Sequence, residues 1–183
     1  MNLRLAVVAW YVPPRVKRRM LEDLFRVTAE AFGRASAPTS RGLSFEEGLR
    51  AYAAFTRAEA TRAIEDGRDV EAIRDRLREG ARRMGEALRE RLRVSSRDEV
   101  MRALAIAYRQ IGIDLAGDQG GEVIVRRCYF SAFYRPEVCG LISALDEGIA
   151  AGLSAGGVLV FQGHITDGAE SCRAHLDIPE TEP

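Results

Sequence analysis

Apolar residues recur at helical spacing through most of the first 111 positions. Val16, Met20, Leu24, Val27 and Ala31 predict a helix from about 15 to 32, with Pro13-Pro14 before it and Gly33 as its stop. Ser44 and Glu47 form a capping-box pattern ahead of a second helix to about 65, with Phe45, Leu49, Tyr52, Phe55 and Ile64 inward and Gly67 behind. Asp69 caps a third, to about 92, striped by Val70, Ile73, Leu77, Met84 and Leu88. Ser96 and Glu99 open a fourth, marked by Val100, Leu104, Tyr108 and Ile111. Leu24, Phe55, Leu77 and Leu104 are expected to be core residues from these four helices. The apolar run Leu3–Tyr11 fits a buried strand or a short helix equally well, because periodicity alone does not separate them.

After a connector over 112–121, broken by Gly120-Gly121, the period changes. Residues 122–130 alternate and are β-branched, which predicts a strand. A helix is expected from Pro136 to about Leu153, burying Val138, Leu141, Ile142, Leu145 and Ile149. Strands are expected at 158–165 and 171–178, joined by a tight turn at Thr166-Asp167-Gly168-Ala169. In the last strand Cys172, Ala174, Leu176 and Ile178 share one face and Arg173, His175 and Asp177 the other. The closing Pro-Glu-Thr-Glu-Pro is expected to fray. These elements predict an α+β fold in one domain over 1–183. A helical part (1–112, about four helices) packs on a small three-stranded antiparallel sheet with one crossing helix, carried by 122–178.

Composition narrows the class. Lys plus Arg and Asp plus Glu both number 27, so no global field draws nucleic acid or an anionic surface, and neither a nucleic-acid nor a membrane partner is expected. The local basic group Arg15, Lys17, Arg18 and Arg19 opens a helix, the unfavourable end for its dipole, and reads as a solvated face. Leu3–Val12 is too short to span a bilayer and runs into Trp-Tyr-Val-Pro-Pro, not a small-residue cleavage site, so a cytoplasmic location is expected. The expected partner is a small-molecule substrate, and self-association into a homo-oligomer stays open.

Three cysteines cannot all pair within the chain. Cys128 falls near the exit of the first expected strand, Cys172 at the start of the last, and Cys139 in the first turn of the helix opened by Pro136. The helix dipole favours a thiolate at that last position. Asp146 lies two turns beyond Cys139 on the edge of the buried face, where a carboxylate is costly unless paired or used. Four readings follow. The thiols are small buried hydrophobes. Or Cys128, Cys139 and Cys172 hold a zinc ion, with His164 as a conceivable fourth ligand, or an iron–sulfur cluster with one open iron. Or Cys139 is a lone nucleophile served by a histidine, His164 or His175, with Asp146 as base or orienting group. Or the chain is a non-catalytic module that binds a metal, cluster or small ligand for a partner enzyme. No close Cys-x-x-Cys pair supports a standard zinc motif.

Cys128-Tyr-Phe, then Tyr134 and Cys139, then Leu145-Asp146-Glu147-Gly148, then Ile165-Thr166-Asp167-Gly168 and Cys172 form a pattern that resembles the C-terminal half of the L-2-amino-thiazoline-4-carboxylic acid hydrolase-like family. A looser similarity is to the cysteine-rich end of the iron-dependent plastid β-carotene isomerases. The resemblance covers about the last 60 residues. It implies a hydrolase that opens a cyclic C=N bond with water, giving an N-carbamoyl thiol amino acid, with Cys128, Cys139, Asp146 and Cys172 at the recurrent positions. His164 stands where such sequences more often carry arginine, a departure that leaves open whether this chain shares the family's substrate.

Overall fold

The structure is a computed structural model describing residues 2–179. The predicted tail beyond Pro179 lies outside the described residues. Helices α1 (Leu3–Trp10), α2 (Pro14–Ala31), α3 (Phe45–Glu65), α4 (Val70–Leu92) and α5 (Arg97–Gln110) precede strands β1 (Ile113–Gly117) and β2 (Glu122–Cys128). A 3-10 turn at Tyr129–Ala132 leads to α6 (Pro136–Ile142) and α7 (Ala144–Ser154), then β3 (Val158–Gly163), a 3-10 turn at Ile165–Asp167 and β4 (Cys172–Asp177). The fold is α+β, and its sheet is antiparallel in the order β1-β2-β4-β3.

The caps follow the local chemistry. Ser44 and Glu47 close a reciprocal capping box, and the Asp69 and Ser96 side chains accept from the third residues of α4 and α5. Leu3–Trp10 is a helix, capped by Asn2, whose amide also donates to the Leu92 carbonyl at 2.9 Å and so ties α1 to the end of α4. Leu24, Leu77 and Leu104 are buried and Phe55 is partly buried against them. Val16 is instead 51% exposed.

Three expectations about the sheet region are corrected. The sheet has four strands, because residues 113–117, expected as connector, pair with β2. This segment carries little β-branched character of its own, so its strand exists by virtue of its partner's edge. The expected tight turn at 166–169 is a longer loop, 164–171, wound as one 3-10 turn and closed by Gly168 at φ 92°. The helix expected from 136 to 153 breaks at Ser143, whose hydroxyl donates to the Gly140 carbonyl at 2.9 Å.

One sheet face, built from Val123, Val125, Leu159, Cys172, Ala174 and Leu176, is buried. Helix α7 packs against β3 and lies along α4, which in turn packs on α2. The α4–α7 crossing brings backbone onto backbone. A Cβ on Gly148 would stand 2.8 Å from Ala81 Cβ and press on the Arg78 carbonyl; one on Gly152 would strike the Arg82 carbonyl; one on Gly85 would strike the Ile149 carbonyl. Glu147 closes the same seam by accepting from Arg74 Nη2 at 2.6 Å and from Arg78 Nε and Nη2 at 3.0 and 2.9 Å. Arg74 also donates to the Gly140 carbonyl.

This seam makes a sharp prediction. Gly152→Ala forces two backbones apart and should cost about 3 kcal/mol or more, the upper range for overpacking. Gly140→Ala, in a helix with nothing within 4 Å of the added methyl, should be neutral or stabilising by roughly 0.4–1 kcal/mol. Urea melts of the two variants check the contrast.

Candidate functional site

A cavity of about 600 Å³ lies between α2, α4, α5 and the α6–α7 pair. Its sides are almost wholly apolar, from Met20, Leu24, Leu88, Ile106, Ile142 and Ile149 among others. Arg15, Arg19 and Arg91 are exposed wall residues and mark the mouth. The buried wall residues Tyr52, Tyr108 and Tyr134 mark the inner end, and Cys128, Cys139, Ser143 and Asp146 also line the cavity.

Asp146 is the third residue of α7. Glu147, one step round the helix, turns to the arginines of α4, while Asp146 meets α5. There it accepts a 2.6 Å hydrogen bond from the Tyr108 hydroxyl. The surface it keeps faces the cavity; protein otherwise surrounds the carboxyl. Burial is the main cause that raises its pKa to about 6, against the opposing Tyr108 hydrogen bond. The other two inner tyrosines are satisfied by threonines: Tyr52 and Thr28 lie 3.0 Å apart, and Tyr134 pairs with Thr56. All three phenols are pushed upward, first by desolvation, and stay neutral.

Cys128 ends β2. The backbone N–H groups of Phe130 and Ser131, in the 3-10 turn that follows, favour its thiolate, but burial outweighs them and the thiol is raised to about 11. Cys139 is raised to about 12, again first by burial; the Thr166 hydroxyl opposes this. That hydroxyl is buried and otherwise unpartnered. The expected lowering of Cys139 by the helix dipole is thus overturned, because desolvation in an apolar wall exceeds what a seven-residue helix supplies. Cys172 is buried on β4, outside the cavity wall, and its sulfur accepts from the Ile165 N–H at 3.3 Å. Burial raises its pKa too. Asp146 raises all three thiols, so the four groups share one electrostatic neighbourhood.

The geometry therefore brings Cys128, Cys139 and Asp146 to one cavity, with Cys172 behind it. His164 is not on the cavity wall. It stacks on Phe161 with ring centroids 4.8 Å apart, its Nδ1 lies 3.4 Å from Asp167 Oδ2, and its Nε2 is buried without a partner. His175 is exposed on the outer sheet face. Among the described residues no group of three or more His, Cys, Asp or Glu side chains is arranged to hold a metal ion. Cys128, Cys139 and Cys172 as placed form no such group. Tyr108 is the site residue that sequence reasoning assigned only to the core. Its signal was a tyrosine on an inward helical stripe, where a hydroxyl needs a partner. Comparison with protein-family models, curated proteins and solved structures finds no match to this chain.

Asp146 carries a stability cost. Its folded carboxyl, near 6, binds its proton more tightly than the unfolded one, near 3.8. Stability therefore falls as pH rises between those values and stays lower above them. Asp146→Asn, which keeps an acceptor for Tyr108, should be more stable than the parent at pH 7.5 by about 3 kcal/mol and equal to it near pH 3.5. Thermal melts of both proteins across that range test the sign.

Proposed function

We propose that the protein is a cysteine-dependent, hydrolase-like enzyme that adds water across a C=N or related C–N bond of a small substrate with a largely apolar body. The observation that carries this reading is the buried Asp146–Tyr108 pair in the same cavity wall as two thiols. A carboxyl near 6 is ionised at neutral pH yet basic enough to take a proton, the condition for a general base. The likeness of the cysteine and Leu-Asp-Glu-Gly pattern to thiazoline-carboxylate hydrolases supports the bond type. The apolar walls suit a more apolar substrate body than that family's, and the arginines at the mouth suit an anionic end.

Cys128 is the preferred nucleophile. The backbone N–H groups of Phe130 and Ser131 stand ready for its charge. With no bond forming at sulfur, moving its proton to Asp146 is uphill, since burial holds the thiol near 11 and the carboxyl near 6. Proton transfer therefore accompanies attack. Sulfur bonds to the C=N carbon while Asp146 takes the thiol proton and passes it to the nitrogen, which leaves the carboxylate free again. Water, deprotonated by the same carboxylate, then displaces sulfur, and the thiol recovers its proton. The net change is one water added across the C=N bond. Cys139, beside the Thr166 hydroxyl, would orient the substrate.

Turnover should be measured on 2-amino-thiazoline-4-carboxylate and on 2-substituted thiazolines of increasing apolar size. The rate should rise with pH through about 6, as Asp146 ionises. Cys128→Ala and Asp146→Asn should each lower kcat/KM by roughly 100-fold or more, the usual scale for a lost nucleophile or base, and Asp146→Asn should abolish that pH limb. Loss in Cys139→Ala with Cys128→Ala active would move the nucleophile to Cys139. Tight binding of every thiazoline with no turnover would instead assign the cavity to a non-catalytic ligand-binding module.

A further inference from the structure

The chain is neutral overall, but its charge is not evenly spread. Residues 2–21 contain five bases, Arg4, Arg15, Lys17, Arg18 and Arg19, and no acid. Of these bases, Arg4, Arg15, Arg18 and Arg19 are exposed and Lys17 is half-buried. The same stretch holds most of the exposed large hydrophobic side chains: Leu3, Val7, Trp10, Tyr11 and Val16, with Trp10 88% exposed. Leu3, Val7 and Trp10 are spaced to form one outer stripe on α1. The opposite side of α1 is engaged: Leu5 is buried, Val8 packs on the core, and Arg109 donates to the Ala9 carbonyl at 2.7 Å. Helix α1 is thus apolar on both sides, with only the inner side covered. An apolar outer face containing a tryptophan and flanked by cations has the make-up of a helix lying in a bilayer interface.

We propose that residues 2–19 form a docking surface for an anionic lipid bilayer. The outer stripe of α1 and Tyr11 enter the headgroup boundary, and the bases at the start of α2 and on α1 meet the lipid phosphates. This is surface contact; no helix among the described residues is long and apolar enough to cross a membrane. Val8, Val12, Arg15, Val16 and Arg19 line the cavity as well. The docked orientation therefore turns the cavity mouth toward the lipid, and an apolar substrate reaches the site without crossing water. The docking itself is independent of the hydrolase reading; only the route for an apolar substrate rests on it.

Trp10 is the only tryptophan in the chain, so intrinsic emission reports on this face directly. The full chain is titrated with large unilamellar vesicles of phosphatidylcholine alone and of phosphatidylcholine with 30 mol% phosphatidylglycerol (about a third anionic, as in the surfaces that attract basic segments). Anionic vesicles should shift the emission to the blue and co-sediment the protein, and salt should weaken both. Lys17→Gln/Arg18→Gln should bind roughly tenfold or more weakly, from the loss of two cations at the surface. Val7→Asp should abolish sedimentation while leaving the far-ultraviolet circular dichroism unchanged. No blue shift and no sedimentation, or equal binding to neutral vesicles, overturns the proposal. A blue shift that grows with protein concentration in the absence of vesicles also overturns it and assigns the face to a second copy of the chain.

Discussion

The close contact between α4 and α7 holds the site in place. Side chains usually keep two helices 8–10 Å apart. Here Gly85, Gly148 and Gly152 let carbonyls of one helix sit where a Cβ of the other would stand. This approach allows Arg74 and Arg78 to reach Glu147 across the seam. With Glu147 clamped to α4, the helical turn leaves Asp146 directed at Tyr108 and the cavity. A carboxylate that a flexible segment could carry into water would not retain a pKa near 6. The glycines of the seam are thus what keep the acidic group buried.

The inner cavity has an unusual electrostatic balance. Asp146 is ionised against its burial, and the surrounding thiols and phenols are held neutral by the same low polarity. Neutral thiols around a single negative charge suit proton transfer during attack better than a standing thiolate. Local instability of this kind is common where a site is shaped for chemistry, and the rest of the fold offsets it. Here the offset comes from a continuous apolar core and the reciprocal caps of the long helices.

The 164–171 loop links the sheet to this balance. Pairing of β3 with β4 is interrupted by a bulge between Phe161 and Gly163, and the chain then winds through His164 to Asp167 against α6. This path sets the Thr166 hydroxyl beside Cys139 and the Ile165 amide on Cys172. A two-residue hairpin turn would have reached neither. His164 is thereby held in the loop, stacked on Phe161, instead of joining the cavity wall.

Local chemistry in the chain determined the four long helices, α2 to α5. Caps at Ser44, Asp69 and Ser96, stops at Gly33 and Gly67, and the inward stripes through Leu24, Leu77 and Leu104 act within a turn or two of themselves and are legible without any partner. The alternation at 122–128 and 172–177, and the placing of Cys128 at a strand end and Cys139 in the first turn of a helix, were legible for the same reason; Asp146, expected two turns deep in that helix, instead stands in the first turn of α7 after the break at Ser143. Other features depend on contacts remote in sequence. Residues 113–117 become a strand only beside β2. The small residues at 81, 85, 144, 148 and 152 show a four-residue spacing, but that spacing becomes a seam only when two helices meet. The state of the thiols was decided by tertiary structure alone: a helix dipole is visible in sequence, whereas the depth of burial that overrides it depends on what the rest of the chain packs around the sulfur.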